Sequence, residues 1–276
     1  LSDRMKPISR KEAYKIQEQI EIISENKILG WKIAATSKDG QNHIGVSGPL
    51  AGRIFKDKVK ISNSNLILGS NQMAVAEPEF AFKIGTEIKP NKSYYKVKEV
   101  MELVETLHLA IELPDSRFNN FAFQSGSLIK PKKPLFSVEE VMELVDTLHI
   151  AIEFPDSRFN NFSSVGELSL IADNACADQF VFSKPVDMDW KDIDFSNHKV
   201  SISNSKFAHQ GIGSNVLGDP KIALTWLVNE LSQNNILLEK DMIVSTGTCS
   251  KPIPVVTGDI VTANFGELGE ISSNLN

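Results

Sequence analysis

Cysteine is scarce in this chain of 276 residues: Cys176 and Cys249 stand far apart, with no CxxC pair between them. Two such residues make no framework of bridges, and their placement fits a reducing cytoplasm. Long apolar runs are missing as well, none approaching the roughly 20 residues needed to cross a bilayer. The N-terminal stretch LSDRMKPISRKEAYKIQ is charged and polar where a secretory segment would be apolar. A cytoplasmic protein with no membrane partner is therefore expected. Nor is there an excess of basic residues. The net charge is -6, so no general attraction to nucleic acid is expected.

Several catalytic signatures are absent too. The five histidines, His43, His108, His149, His198 and His209, show no HExxH spacing, and no GxSxG elbow occurs. GIGSNVLG at 211–218 lacks the third glycine of a dinucleotide-binding loop.

What is present is an ordinary globular composition, 41% hydrophobic, in a chain long enough to bury a sizeable core. Ser9 followed by Glu12 forms a capping-box pattern, and Ala13, Ile16, Ile20 and Ile23 recur near helical spacing, predicting a helix over about 10–26 that Gly30 ends. Short apolar runs cut by glycine follow: WKIAAT at 31–36, HIGV at 43–46, MAVAEPEFAF at 73–82 and FVFS at 180–183. They read as strands. DPKIALTWLVNELSQ at 219–233 reads as a core helix with an Asp cap and Pro just inside. The tail reads as short strands around turns such as Gly258-Asp259. The whole is expected to be one β-rich α+β domain over 1–276, with a helical part at about 1–30.

Its most unusual feature is a tandem repeat. Residues 80–120 and 121–161 match at 28 of 41 positions, with abutting ends. Each copy reads as a strand end, a lysine-containing loop, a helix from Val97 or Val138 to its histidine, and a strand AIE running into PDSRF. Solenoids need about three or more stacked units, so one copy is expected to be structural and the other inserted.

The candidate chemistry lies in carboxylates. Glu77 and Glu79 sit in AVAEPEFAF, where strand alternation sends both to one side. Two like charges so placed repel unless something positive lies between them, and Mg²⁺ is a natural candidate because it prefers hard oxygen ligands. The alternative is an ordinary acidic pair on an exposed strand. A third glutamate ends the apolar run AIE, as Glu112 in one copy and Glu153 in the other. Because an unpaired buried carboxylate is costly, it favours a Mg²⁺ or Mn²⁺ site. Lys32 in GWKIAAT is either a snorkelling surface lysine or a group that meets a substrate carboxylate or moves a proton. Asn174 and Cys176 in LIADNACADQ, and Thr246 and Thr248 in STGT, either line a pocket or form turns.

Taken in order, GWKIAAT, HIGVSGPLAGRIF, EPEFAF, AIE with PDSRF, LIADNA, the GxGxxxLGDPxxALxWL pattern and IVSTGTCSKPIPVVTGD resemble the 2-keto-4-pentenoate hydratase and 4-oxalocrotonate decarboxylase branch of the fumarylacetoacetate hydrolase superfamily. The resemblance covers nearly the whole chain. It implies a mixed β-roll or β-sandwich of the fumarylacetoacetase C-terminal-like type with a few flanking helices, and a homo-oligomer, with a decarboxylase or hydratase of the same family as a further partner. It also implies a Mg²⁺ or Mn²⁺ ion held by Glu77, Glu79 and either Glu153 or Glu112. Lys32 matches the active-site lysine and Asn174 a pocket asparagine, and Cys176 stands where some hydratases have serine. Leu50 is a departure, since hydratases of this branch have an aspartate there, thought to handle water or its proton. The activity implied is hydration of 2-hydroxypenta-2,4-dienoate, a small 2-oxo acid in its dienol form, to 4-hydroxy-2-oxopentanoate in aromatic meta-cleavage catabolism. A 4-oxalocrotonate-type decarboxylase, or an impaired member kept as an assembly subunit, is the alternative.

The resemblance needs one AIE strand per site. Copy one keeps the short separation from Glu79 to Glu112, whereas copy two keeps the short separation from Glu153 to Asn174. Outer loops tolerate insertions best, and the lysine-containing loop reads as the outer one. This favours Glu153 as the ligand, with about 85–128 displaced from the core.

Overall fold

The structure is a computed structural model describing residues 6–71, 73–85, 87–90, 104–112, 147–154, 159, 164–190 and 193–276, with the backbone alone over 105–112 and 147–154. Helix α1 (Arg10–Ser24) is capped by Ser9, whose hydroxyl accepts from the Glu12 amide, while the Glu12 carboxylate accepts from the Ile8 amide. Its end differs from the expectation. Glu25 in the left-handed region terminates the helix, and Gly30 lies inside strand β1 (Ile28–Ala34). A second helix, α2 (Lys38–Ile44), occupies the expected HIGV strand, because Ser37 caps its start and Gly45, at φ 68°, stops it. Strands β2 (Leu50–Phe55), β3 (Val59–Ile61), β4 (Asn65–Leu66) and β5 (Val75–Ile84) follow.

The repeat supplies β6 (Val104–Glu112) and β7 (Thr147–Phe154). Val104–His108 and Thr147–His149 were expected to be helical and are extended instead; residues 97–103 and 138–146 of those helices lie outside the described residues. The partners on either side explain the change, since flanking strands offer a full ladder to an apolar segment and override local helix preference. The expected departure of about 85–128 from the sheet is not met at 104–112, because β6 lies in the sheet.

After the repeat come α3 (Glu167–Ala172), β8 (Gln179–Val186), β9 (Lys199–Ser203), β10 (Ala208–Ile212), α4 (Pro220–Gln233), β11 (Ile243–Thr248), β12 (Ile253–Pro254), β13 (Ile260–Asn264) and β14 (Glu270–Leu275). Helix α4 starts as its sequence predicts, with the Asp219 carboxylate accepting from the Lys221 amide at 2.7 Å. Burial by the core raises the Asp219 carboxyl above its ordinary range, against the pull of Lys221. Among the described residues no helix is long and apolar enough to cross a membrane.

Two sheets result. The larger runs β2-β1-β11-β5-β6-β7-β8-β3, with β12 pairing β5, and the smaller runs β10-β9-β13-β14-β4. This is a mixed α+β architecture of sheets with few helices. Strand β5 is its spine, pairing antiparallel with β11 on one side and β6 on the other. Helix α1 is fastened to this frame by Gln17, fully buried, whose amide donates to the Ala51 and Ile171 carbonyls and whose oxygen accepts from Arg53 Nε. Arg10 adds bonds to Glu230, Glu167 and the Pro49 carbonyl.

Backbone proximity at β1 limits what the sequence can carry. Gly30 is in register with Ile243 of β11, and a Cβ there would lie 1.8 Å from the Ile243 carbonyl oxygen. At Gly48 nothing lies within 4 Å. Gly30→Ala is therefore expected to cost about 2–4 kcal/mol in urea unfolding, by forcing β1 from β11, and Gly48→Ala less than about 0.5 kcal/mol.

Candidate functional site

The site begins with the two faces of β5. Pro78, Phe80 and Phe82 alternate with Glu77, Glu79 and Ala81. On one face Phe80 meets the rings of Phe195 and Phe265 edge-on at 5.1 and 5.2 Å, and Phe82 meets Trp190 at 6.3 Å. That aromatic packing pins one face of the strand. It leaves Glu77 (6% exposed) and Glu79 (0%) together on the other face, inside the protein.

A carboxylate with no exposure needs donors, and β11 provides them. Glu79 Oε2 accepts from Ser245 Oγ at 2.6 Å and from the Gly247 amide at 2.9 Å, and Oε1 is buried beside it. Gly247 takes φ 106°, and a Cβ on it would sit 2.4 Å from the Thr36 hydroxyl. Only glycine lets the amide reach Glu79 while Thr36 closes in behind it. Lys32 on β1 is 1% exposed and is in register with Ser245 on one side and Gly52 on the other. In-register neighbours share a face, so Lys32 stands on the sheet face that carries Ser245 and Glu79.

The third acid is placed by backbone register. Glu112 pairs with Glu77 across β5 and β6, and Glu153 pairs with Glu112 across β6 and β7. Among the described residues no three His, Cys, Asp or Glu side chains gather as a metal cluster. The described donor set is thus the Glu77 and Glu79 pair. Two buried, hard carboxylates on one strand face fit a Mg²⁺ or Mn²⁺ ion, which prefers oxygen ligands.

The remaining candidates do different work. Asn174 is buried, and its amide clamps β2: Oδ1 accepts from the Arg53 amide at 2.6 Å and Nδ2 donates to the Arg53 carbonyl at 3.0 Å. Asn174, Ala175 and Cys176 all have positive φ (68°, 49° and 65°), a left-handed turn that costs non-glycine residues energy. Gly52 lets this turn approach, since a Cβ there would lie 2.3 Å from the Asn174 carbonyl oxygen. Thr246, fully buried, donates to the Phe80 carbonyl, and Thr248, in register with Glu79 beyond a bulge, donates to the Ser250 carbonyl. The Cys249 thiol is pushed well above its ordinary range by burial and then by Glu79. Leu50 is 1% exposed in the hydrophobic core.

Sequence reasoning singled out STGT yet chose its threonines, whereas Ser245 and Gly247 hold Glu79. Strand alternation carried the signal, because residues two apart share a face. Thr36 had no comparable signal.

This arrangement of sheets is that of fumarylacetoacetate hydrolase-type structures. The 4-oxalocrotonate decarboxylase from Pseudomonas putida G7, solved with magnesium and adipate, superposes with a TM-score of 0.72 at 18% identity, over 97% of this chain and 86% of that one. A fumarylacetoacetate hydrolase family protein from Yersinia pestis superposes at 0.56 and 12% identity, over 90% of this chain and 93% of that one. In sequence the chain is 24% identical over 270 residues to the 2-oxo-hept-4-ene-1,7-dioate hydratase of Escherichia coli, covering 96% of this chain and 86% of that enzyme. No family model matches. The chain is a homologue of the hydratase and decarboxylase proteins, carried on the fumarylacetoacetate hydrolase fold.

The Ser245 hydroxyl bond to a fully buried carboxylate is of the charge-assisted kind. Ser245→Ala is expected to lower stability by about 1.5–3 kcal/mol in chemical denaturation, whereas Thr262→Ala, on the partly exposed face of β13, changes it by less than about 1 kcal/mol.

Proposed function

We propose that the chain is a divalent-metal-dependent lyase acting on small 2-oxo and 2-hydroxydienoic acids, with hydration of 2-hydroxypenta-2,4-dienoate to 4-hydroxy-2-oxopentanoate as its reaction. The observation that carries this reading is the buried Glu77 and Glu79 pair on the sheet face that also holds buried Lys32. Glu77 and Glu79, completed by Glu112 or Glu153, would hold Mg²⁺ or Mn²⁺. When bound, the cation supplies electrophilic stabilisation of the negative charge that develops on the 2-oxo oxygen.

The chain's own groups do the rest. Ser245 and the Gly247 amide fix the orientation of Glu79, so the ligand is held in place before substrate arrives. Lys32 neutralises the substrate carboxylate or carries the proton that moves along the substrate chain as the dienol becomes the enone. Water then adds at C4. Asn174 acts as a positioning residue, holding β2 and therefore Gly52, the neighbour of Lys32, through the Arg53 backbone. Cys176 and Thr248 complete the proposed substrate-side residues, whereas Thr246, which lies between Ser245 and Gly247 on the other face of β11 and donates to the Phe80 carbonyl, serves the core instead. The protein works as a homo-oligomer in this reading, as its family resemblance implies, and in the cytoplasm, as its two cysteines without a bridging pattern and its polar N-terminal stretch suggest.

Leu50 favours a second reading. An apolar side chain buried in the core cannot deliver water or hold its proton. A 4-oxalocrotonate-type decarboxylation needs no added water in its bond-breaking step, since the electrons left by departing CO₂ enter the same enolate. The sheet and Lys32 serve both reactions.

With Mg²⁺ present, loss of diene absorbance from 2-hydroxypenta-2,4-dienoate is the expected result, and 4-oxalocrotonate should be the better substrate if the second reading holds. Chelation is expected to reduce turnover to background and added Mg²⁺ to restore it. Glu79→Gln should lower kcat by about 100-fold or more, and Lys32→Met by a similar factor. Turnover of neither acid, nor of related dienoates, would sink the proposal.

A further inference from the structure

Strand alternation sends Trp31 to the face of β1 opposite Lys32. Arg53 is in register with Trp31 across β1 and β2 and goes the same way. Its guanidinium lies over the Trp31 ring, 4.7 Å from the centroid, a stacked arrangement that orients the cation. Both side chains line a pocket of about 430 Å³ bounded by α1, the two strands and the loop that follows α4.

Arg53 is only 5% exposed, yet its donors are poorly used. Nε donates to the Gln17 side chain at 3.2 Å, and the ion pair from Nη1 to Glu21 spans 3.6 Å, too long for a hydrogen bond. A guanidinium carries five N–H donors, so both Nη groups keep donors for an acceptor in the pocket. Burial pushes Arg53 below its ordinary range, and the nearby Glu21 and Glu18 offset this only in part. The Trp31 indole N–H, buried in the same wall, has no hydrogen-bond partner. Donors in such a place are costly until an acceptor meets them.

The rest of the lining has the opposite charge. Glu18 and Glu21 are three residues apart on α1 and so share a face, and Glu239 lines the pocket from the loop after α4. Three carboxylates against Arg53 and Lys27 make the lining acidic on balance, which disfavours a multiply charged anion such as phosphate. A ligand that suits both parts carries a carboxylate at one end and an ammonium at the other.

We propose that this pocket binds a free α-amino acid, with its carboxylate on the Arg53 guanidinium and its ammonium among Glu18, Glu21 and Glu239, on the side of β1 opposite Lys32. Guanidinium and carboxylate match as a planar pair joined by two hydrogen bonds. Partly buried Ile28, Ile236 and Met242 give the amino acid's side chain an apolar wall. The volume lies within the range of small-molecule pockets. The proposal is independent of the lyase reading, because none of these side chains takes part in that reaction.

Binding of the twenty common L-amino acids to the full chain is measured by ligand-observed NMR and then by calorimetry, with Mg²⁺ and again with a chelator. At least one is expected to bind with a Kd of about 1 mM or tighter, equally under both conditions. Its N-acetyl and carboxamide derivatives, each lacking one of the two charges, are expected to bind at least about tenfold more weakly. Binding by none of the twenty overturns the proposal. So does binding that requires Mg²⁺, which belongs to the Glu77 and Glu79 face, and so does either derivative binding as well as its parent.

Arg53→Gln is expected to weaken binding by about 10- to 100-fold, and an unchanged affinity in the folded variant is a contrary result. Because Arg53 is buried and its replacement can disturb folding, a second variant combines Glu18→Gln with Glu239→Gln, both at exposed positions. A loss of about three- to tenfold is expected for that pair. An unaltered Kd there removes the acidic rim from the site, and the zwitterion with it. If the chain turns over no dienoate, the lyase reading fails and the amino-acid titration still decides this one.

Discussion

The structure turns on one buried carboxylate. Glu79 lies in the central strand of the larger sheet with no exposure, and an ion in that position is tolerated only where donors are already in place. Ser245 and the Gly247 amide are those donors, both on β11. Their geometry demands the antiparallel pairing of β5 with β11, the bulge that follows Ser245, and a glycine at φ 106°. The aromatic face formed by Phe80, Phe82, Phe195 and Phe265 then serves a purpose beyond core burial. It prevents β5 from rotating its carboxylates toward solvent, where they would lose nothing by being hydrated.

The same constraint spreads outward through places where backbones nearly touch. Gly30 admits β11 against β1, and Gly52 admits the Asn174 turn against β2. Both contacts bear on Lys32, which is flanked by Gly52 on β2 and Ser245 on β11. The left-handed run Asn174-Ala175-Cys176 is strained, and the two bonds from the Asn174 side chain to the Arg53 backbone offset that strain. Strain held in this way is stiff. A lysine sitting beside such a frame keeps its place on the sheet without help from its own flexible chain.

Much of this was legible from the residues. The alternation in AVAEPEFAF put both glutamates on one face, and the caps at Ser9 and Asp219 marked two helices, because these signals are local and depend on side-chain period or a single hydrogen bond. The order of motifs pointed to the fold. What escaped was set by neighbours distant in sequence. Val104–His108 has helix-forming residues, yet pairing with β5 makes it a strand. HIGV has strand-forming residues, yet Gly45 serves as a helix cap. Thr36 matters only because Gly247, near the other end of the chain, leaves it room.

The repeat shows how a sheet absorbs a duplicated piece of itself. A helix bundle that gains a second copy of one helix must find a new apolar groove for it, because side-chain packing is specific to the site. A strand asks less of its surroundings, since most of its cohesion lies in backbone groups that are the same for every residue, and its side chains need only match a period of two. A duplication that preserves the register keeps that period against both β5 and β8. The constraint falls at the end of the strand, where backbone register sets Glu112 opposite Glu77 and Glu153 opposite Glu112. An apolar strand, the element that a sheet accepts most easily, thus ends in each copy at a glutamate, and the position opposite Glu77 is the point where the repeat and the site meet.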